Sequence, residues 1–454
     1  MEESMNKMTF AYQSYNKEFE CFNPNAHPED WMIDGVKTVP HTHGGQFFKW
    51  ESLNYDYSLV DKLSYQELLE MGAEPTKQEY LEWLVNFRHL NTIPSGQKYI
   101  YHISVHQIRY FLLNEYIGFD FISPRVIQDV KNGVAKIVIL FPYEGNTSIV
   151  PATVQGSQVN RGVLIVDEWC KRAGLQKDQV YFIHGNLLAD HYNSLVTNYT
   201  SMSVDSFTTW LPRDYMISDS VPPEFAPVDD KHVYLCYNRT VRIHRKFLLS
   251  MLEHKNLFEK GLISCGDPVV FEHISYDLGR YGLEYLLPAA KSMVNKIPIE
   301  IDMNLRINNP AVDINESHYA RSFISLIPET HYENDILFRS EKIWKTLAVG
   351  HPFIVLSSSG FLASLKQLGF KTFDKWIDES YDYEPDWIKR MDMATDEIKR
   401  LSSLSIDRLR EIRNEMKDVV LHNKNLCKAI YDRDMEYKGS APLYRRVEQI
   451  WDSF

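Results

Sequence analysis

Long apolar runs are missing from this 454-residue sequence, and cysteine is scarce. None of the apolar runs approaches the roughly 20 residues that a membrane-spanning helix needs. The five cysteines never occur in CxxC spacing, so the sequence indicates neither a disulfide framework nor a zinc site. The first residues also lack the basic and then apolar pattern of a signal peptide. We therefore expect a cytoplasmic protein without a membrane span.

An excess of positive charge is missing as well. The sequence contains 49 Lys and Arg residues and 61 Asp and Glu residues, which gives a formal net charge of −12. A broad basic surface for nucleic acid is therefore disfavoured, although an acidic protein can still have a local basic cleft. The hydrophobic fraction of 44% is typical of a globular protein. A chain of 454 residues is too long for one ordinary core, so we expect two domains with extensions.

His41 and His43 are separated by one residue and suggest a metal site. Zinc needs three or four ligands, and no further cluster of ligand residues lies nearby in the sequence. We therefore favour a structural role for this pair.

The pattern of apolar runs divides the chain into four parts. Residues 1–61 are rich in turn signals and predict an irregular segment that wraps a surface. Residues 62–220 predict a first α/β domain and residues 231–375 a second, separated by a Pro-rich and acidic linker. Residues 376–454 change to long charged helices, which we expect to pack back across both domains.

Strands alternate with helices in both domains. The first domain has apolar strands at Lys136–Phe141 and Gln179–Ile183, with a helix between them, and the second domain opens with a strand at His232–Tyr237. This alternation predicts parallel sheets covered by helices. In such sheets the loops after the carboxyl ends of the strands line the ligand crevice.

That rule selects three polar residues of the first domain. Glu144 follows the strand that ends at Phe141, and it fits a ligand-contacting carboxylate and a solvated or helix-capping carboxylate equally well. His184 and Asn186 follow the next strand and flank a glycine. Both are as consistent with turn chemistry as with ligand contact.

A cluster of basic residues follows the first strand of the second domain. Arg239, Arg242 and Arg245 occupy the turn and the first helical turn. Cations at a helix N-terminus oppose the helix dipole. An anionic ligand would relieve this conflict, and so would nearby acidic side chains. We favour anion binding for Arg239 and Arg242, and favour it less for Arg245.

A second candidate anion site lies about a hundred residues later. The pattern predicts a strand through Phe323–Ile327, a polar loop, a helix through Ile343–Ala348 and another strand at Phe353–Leu356. Ser340-Glu341-Lys342 begins the helix. A helix N-terminus that follows a strand presents free N–H groups to an anion, and a lysine adds a mobile charge suited to phosphate.

These residues resemble the donor-binding signature of the α1,3-fucosyltransferase family. In that family a strand, a Glu-Asn-Ser-like turn, a Thr-Glu-Lys helix start and a Val-Pro-Ile strand follow one another. The similar pieces here are Phe323–Glu329, Ser340-Glu341-Lys342 and His351–Val355. The loop before Glu341 is longer than the family's, and its Asn-Ser is replaced, with Glu329-Thr330 or Glu333-Asn334 as the equivalent.

More broadly, the second half of the chain resembles the nucleotide-binding domain of GT-B glycosyltransferases. The resemblance implies an α/β fold of two facing Rossmann-like domains, with a long C-terminal helical extension. It also implies that Lys342 contacts the donor diphosphate and Glu341 the ribose hydroxyls. Arg239 or Arg242 would contact the same diphosphate, and Glu329 would complete the donor site.

The implied activity is transfer of a sugar from a nucleoside diphosphate sugar to a hydroxyl acceptor, such as a glycan, without a cofactor. No Asp-x-Asp pair follows a strand convincingly, so we expect metal-independent chemistry. The acceptor hydroxyl needs a general base. Glu144 is the candidate, with Asp167 and Glu168, both within a predicted helix, as alternatives.

Other functions stay open. GT-B enzymes that glycosylate hydroxymethylated DNA bases occur in phages, and they need a basic groove in the first domain, where the arginines of this chain are dispersed. A non-catalytic nucleotide-sugar-binding protein of the same fold is another hypothesis, and an epimerase or phosphorylase is a weaker one. The glycosyltransferase would be favoured over the binding protein if Glu341, Lys342 and the turn at Arg239 lay around one pocket with a carboxylate on its opposite side.

Overall fold

The computed structural model describes residues 10–12, 32–33, 36–37, 87–90, 93–104, 122–141, 152–154, 157–159, 162–205, 232–238, 242–266, 269–297, 299, 314–435 and 441–454. The chain divides into two compact units. Unit 1 comprises Met1–Ser206 and Asp434–Phe454, and unit 2 comprises Phe207–Arg433. The predicted linker lies outside the described residues.

Unit 1 contains a six-stranded sheet in which every neighbouring pair is parallel. The strands of unit 1 are β1 (Phe10–Tyr12), β2 (Met32–Ile33), β3 (Val36–Lys37), β4 (Phe87–His89), β5 (Tyr99–Ser104), β6 (Ala135–Phe141), β7 (Ala152–Val154), β8 (Ser157–Val159), β9 (Val180–His184) and β10 (Thr200–Ser203). The sheet order is β10-β9-β6-β5-β1-β4, and β2–β3 and β7–β8 form separate antiparallel pairs. The chain therefore adds strands first on one side of β1 and then on the other.

Two helices connect strands within the described part of unit 1. Helix α1 (Pro124–Lys131) begins where Ser123 Oγ accepts the Arg125 N–H at 3.3 Å, and α2 (Gly162–Ala173) precedes β9. Val126 and Val130 of α1 pack into one apolar cluster with inward-facing residues of β5, β6 and β9. The predicted strands in this region and the helix between them are confirmed.

The N-terminal segment differs from the prediction. Residues 1–61 were expected to be irregular, but Phe10–Tyr12 forms β1 and lies between β4 and β5. That expectation is wrong for these residues. A three-residue strand is too short to show a period of two, and its partners are distant in sequence: Phe10 pairs with Phe87 and Ile100.

Unit 2 contains a four-stranded sheet that is also entirely parallel. Its strands are β11 (Tyr234–Asn238), β12 (Gly261–Cys265), β13 (Ile324–Pro328) and β14 (Phe353–Leu356), in the order β12-β11-β13-β14. Every residue of β13 and β14 is buried, which explains why both strands are continuous apolar runs in the sequence. The prediction of an α/β fold with parallel sheets is confirmed.

Helices connect the strands of unit 2 and continue after the last of them. They are α3 (Ile243–His254), α4 (Phe271–Arg280), α5 (Leu287–Val294), α6 (Glu316–Ala320), α7 (Glu341–Val349), α8 (Phe361–Gln367), α9 (Trp387–Ser402), α10 (Ile406–Glu415) and α11 (Lys417–Met435). Helix α7 ends at Gly350, whose φ of 77° is a left-handed conformation that glycine adopts without strain. Seven of its nine residues are buried, so α7 is an interior helix of this unit.

The last helix, α12 (Ala441–Asp452), belongs to unit 1. Arg446 donates to Ser203 O at 2.9 Å and pairs with Asp190 at 3.0 Å. Lys136 Nζ donates to Ile450 O at 3.3 Å. The predicted C-terminal extension therefore contributes to both units. Among the described helices, none combines the length and the apolar character that crossing a membrane requires.

Gly261 should be essential for the pairing of β11 with β12. Its register partner is Tyr234, which is fully buried, and a Cβ at position 261 would lie 2.3 Å from the Tyr234 ring. Gly261→Ala should lower the free energy of unfolding by about 3 kcal/mol, because the ring has to move. Gly279→Ala is the control, since its Cβ would meet nothing within 4 Å. Urea denaturation should show no loss of stability for the control; equal stability of both variants would contradict this account.

Candidate functional site

The candidate site is the carboxyl edge of the unit 2 sheet, between β11 and β13. The chain adds β12 on one side of β11 and then β13 and β14 on the other side. The loops that leave β11 and β13 therefore diverge, and ligands of open parallel sheets bind in the crevice between such loops. Helix α3 follows β11, and α7 follows β13 after a polar loop.

Five consecutive backbone carbonyls at this edge, from Pro328 to Tyr332, each accept a hydrogen bond from a side chain. The donors are Arg245 Nη2 to Pro328 O (3.2 Å) and Glu329 O (3.3 Å), His244 Nε2 to Glu329 O (2.9 Å), Arg242 Nη1 to Thr330 O (3.0 Å), Ser357 Oγ to His331 O (3.1 Å) and Arg390 Nη2 to Tyr332 O (2.9 Å). We name residues 328–332 the carbonyl segment. Leaving a buried carbonyl unpaired costs about 1–3 kcal/mol, so these donors hold the backbone in place where it leaves β13.

The basic first turn of α3 is bound to this segment. Arg245 is 3% exposed, and Arg242 at the N-cap is half-buried. Burial and the charge of Arg242 lower the pKa of Arg245, while Glu329 and Glu341 oppose that shift. The conflict between cations and the helix dipole is therefore relieved by carbonyl oxygens and carboxylates of the protein. The hydrogen bonds of Arg245 and Arg242 go to backbone carbonyls, and the charges of nearby carboxylates also stabilise Arg245.

Glu329 is the first residue after β13, and its side chain is fully buried. Its Oε2 accepts the Thr330 N–H at 3.1 Å, while Oε1 is buried and accepts nothing from the described residues. Burial raises the pKa of the carboxyl; the Lys342 charge and a hydrogen bond from Ser340 oppose the rise. The free oxygen can accept a hydrogen bond from a ligand.

The start of α7 holds the predicted lysine next to this carboxyl. Ser340 caps the helix, and its Oγ accepts both the Lys342 N–H and Lys342 Nζ at 3.2 Å. Lys342 Nζ also pairs with Glu341 Oε1 at 2.7 Å. Burial raises the pKa of Glu341, but the charge and hydrogen bond of Lys342 outweigh it, and the net pKa is lowered. An ionised Glu341 therefore fixes the ammonium of Lys342 at the N-terminus of α7.

Four of the residues predicted for donor binding thus meet at one edge: Arg242, Glu329, Glu341 and Lys342. The edge also contains unused acceptors. Burial, with the charges of two neighbouring arginines, lowers the pKa of His244 to about 3, so the ring is neutral. Since Nε2 donates to a carbonyl, Nδ1 is a bare acceptor, and it is buried without a partner among the described residues. Asn238 Oδ1, at the end of β11, is likewise buried without a hydrogen-bond partner among the described residues.

In unit 1, His184 is the last residue of β9 and Asn186 follows that strand; both are fully buried. His184 Nε2 bonds Ser201 Oγ at 2.9 Å, and burial lowers the pKa of its ring to about 3. Asn186 Oδ1 accepts the Leu188 N–H at 3.0 Å, a side-chain turn. The Asn186 contact is turn chemistry, whereas the His184 contact joins β9 to β10. Acceptor binding by either residue stays a prediction.

The predicted base, Glu144, and the predicted donor residue Arg239 lie outside the described residues. The pair His41 and His43 does too. Of the alternative bases, Asp167 accepts the backbone N–H groups of residues 197 and 198 at 2.9 and 2.8 Å, a structural use of its carboxylate.

No group of three or more His, Cys, Asp or Glu side chains in the described part of the chain is arranged to hold a metal ion.

Sequence reasoning missed several residues that form this edge. Ser357 follows the predicted strand β14, so the same carboxyl-end rule could have selected it. Arg390 carried no such signal, because it lies in α9, 58 positions after the carbonyl that it binds. Tyr332, whose ring lies 4.6 Å from both His244 and Trp387, was likewise not selected.

The sequence matches no family profile and no curated protein. Among solved structures, the catalytic domain of starch synthase IV from Arabidopsis thaliana, bound to ADP and acarbose, is similar at 11% sequence identity and a TM-score of 0.27, over 87% of this chain and 84% of that one. A likeness of that size does not assign this chain to a family. The resemblance to the α1,3-fucosyltransferases receives no support from these comparisons.

Glu329 should make stability depend on pH. Its pKa is raised above the ordinary value of 4.5, so the folded protein binds this proton more tightly than the unfolded chain does. The resulting stability is complete below 4.5 and is lost as the pH rises through the raised pKa. Glu329→Gln stays neutral and should escape that loss.

Urea denaturation at about pH 4 and about pH 8 tests this expectation. The free energy of unfolding of Glu329→Gln, relative to wild type, should increase with pH. A difference that stays constant over this range would contradict a raised pKa.

Proposed function

We propose that this protein is a glycosyltransferase whose unit 2 binds a nucleoside diphosphate sugar at the carboxyl edge of its sheet. One observation carries the proposal. Arg242 was selected by the basic cluster after β11, and Glu329, Glu341 and Lys342 by the stretch from β13 to α7 and its resemblance. All four lie together at the carboxyl edge of the unit 2 sheet, beside the N-termini of α3 and α7.

The proposed roles follow from the contacts. The Lys342 ammonium, the exposed part of Arg242 and the N–H groups that begin α3 and α7 bind the diphosphate, because helix N-termini and cations both favour a polyanion. Glu329 Oε1 accepts a hydrogen bond from a ligand hydroxyl. Glu341 orients Lys342, with which it pairs at 2.7 Å, instead of contacting the ribose.

The proposed chemistry needs no metal. Transfer breaks the bond between the anomeric carbon and the diphosphate, so negative charge grows on the leaving group, and fixed cations with helix N–H groups stabilise that charge. The acceptor oxygen forms the new bond to the anomeric carbon. Its proton passes to a general base, for which we propose Glu144.

A glycan or a similar hydroxyl compound is the proposed acceptor, and hydroxymethylated DNA is the alternative. A non-catalytic nucleotide-sugar-binding protein is the second candidate function. It is favoured by the fact that the residues gathered at the carboxyl edge of unit 2 are all suited to binding. Turnover of a nucleotide sugar in the presence of an acceptor separates the enzyme from the binding protein.

Lys342→Ala should weaken binding of nucleoside diphosphates. Loss of one charge-assisted hydrogen bond corresponds to about 2 kcal/mol, or a roughly 30-fold higher Kd. Isothermal titration of wild type and variant with a panel of nucleoside diphosphates measures this change. The matched control is Lys428→Ala, an exposed lysine that also pairs with a carboxylate, Asp432, at 3.3 Å. If Lys342→Ala binds as tightly as the control, Lys342 does not contact the diphosphate.

Glu144→Gln should separate binding from transfer. The amide cannot take the acceptor proton, so the transfer rate should fall about 100-fold or more while the Kd for the nucleotide sugar stays unchanged. The measurement is product formation with glycan and hydroxymethylated DNA acceptors, in the presence of a metal chelator. Undiminished transfer would remove Glu144 from the mechanism.

A further inference from the structure

Helix α9 contributes a buried arginine to the candidate site from outside the sheet. Arg390 is 2% exposed, and its Nη2 donates to Tyr332 O at 2.9 Å. Both terminal nitrogens also lie 3.2 Å from Asn334 Oδ1, and Nη1 donates to Glu384 O. The planar guanidinium therefore binds two positions of the loop between β13 and α7 at once.

Asn334 extends this connection on its other side. Its Nδ2 donates to Pro385 O at 2.7 Å, and its Oδ1 accepts the Ser359 N–H at 3.1 Å. The loop is thus tied to the segment before α9 and to the turn after β14. Asn334 is itself exposed, so these bonds are formed at the protein surface.

Aromatic rings continue the same connection inward. The Trp387 ring in the first turn of α9 lies 4.6 Å from the Tyr332 ring. The Tyr332 ring lies 4.6 Å from His244, which holds Glu329 O at 2.9 Å. A continuous series of contacts therefore runs from Trp387 of α9 through Tyr332 and His244 to the backbone of Glu329.

We infer that Arg390 is a positioning residue for the ligand site of unit 2. Two side chains of α3 and its N-cap Arg242 hold the first three carbonyls of the carbonyl segment, and Ser357 and Arg390 hold the last two. Without Arg390 the loop that leads to Ser340 and Lys342 loses one of its buried hydrogen-bond donors. A lysine cannot replace it, because an ammonium lacks the planar fork that reaches Tyr332 O and Asn334 Oδ1 together.

The inference rests on the proposed function only for the ligand's identity, and the test has one readout that needs no ligand. Hydrogen exchange of peptides covering residues 329–340 is measured in wild type, Arg390→Met, Asn334→Ala and the double variant. Arg413→Met is the matched control: Arg413 is buried in α10 and donates to Ser322 O at 2.8 Å, before the amino end of β13. The second readout is the Kd for ADP, UDP and GDP.

Arg390→Met should speed exchange across residues 329–340 about tenfold or more and raise the Kd of the bound nucleotide by a similar factor. Asn334→Ala should act in the same direction, and the effects of the two single changes should add only in part in the double variant, since both remove the bonds between Arg390 and Asn334 Oδ1. Arg413→Met should leave exchange in this loop and the Kd unchanged.

Exchange in residues 329–340 that is as slow in Arg390→Met as in Arg413→Met would overturn the inference. If Arg390→Met does not fold, the exposed Asn334→Ala decides by the same two readouts. If wild type binds none of the three nucleotides, the proposed function fails, and hydrogen exchange alone still decides whether Arg390 positions the loop.

Discussion

The candidate site of unit 2 depends on how the backbone leaves β13. Five successive carbonyls, Pro328 to Tyr332, are bound by side chains from α3, from the turn after β14 and from α9. A strand that ended in solvent would leave these groups to water and the following loop free to move. Here the protein supplies every donor itself, so Glu329 and the start of α7 are held before any ligand arrives. Preorganisation of this kind reduces the ordering that binding has to impose.

The charged side chains at this edge are also held by contacts within the protein. Glu329 is fully buried with one unused oxygen, and the Lys342 ammonium next to it is held by Glu341 and Ser340. Buried Arg245 donates to the carbonyls of Pro328 and Glu329, and the charges of Glu329 and Glu341 favour its ionised form. Arg245 and Arg242 thus stabilise the carbonyl segment, and anion binding by Lys342 and Arg242 is the proposed second use of these cations. Only the second use had been expected for Arg242.

The sequence predicted more of the strands than of the contacts between them. Strands β11, β13 and β14 were recognisable because strands buried on both faces are apolar runs, and Ser340 with Lys342 marked the start of α7 by local rules. β1 was missed because its pairing with β4 and β5 is set by residues far along the chain. Arg390 could not be found for the same reason, since a bond across 58 positions leaves no local pattern. The functional roles of His184 and Asn186 stay predictions.

The central claim is that a nucleoside diphosphate binds at the carboxyl edge of the unit 2 sheet, between β11 and β13. A crystal structure of the protein with a bound nucleoside diphosphate tests this claim most directly. The account predicts diphosphate oxygens within about 3 Å of Lys342 Nζ at the N-terminus of α7, with a ligand hydroxyl on Glu329 Oε1. A nucleotide bound away from this edge, with Lys342 still paired only to Glu341 and Ser340, would contradict it.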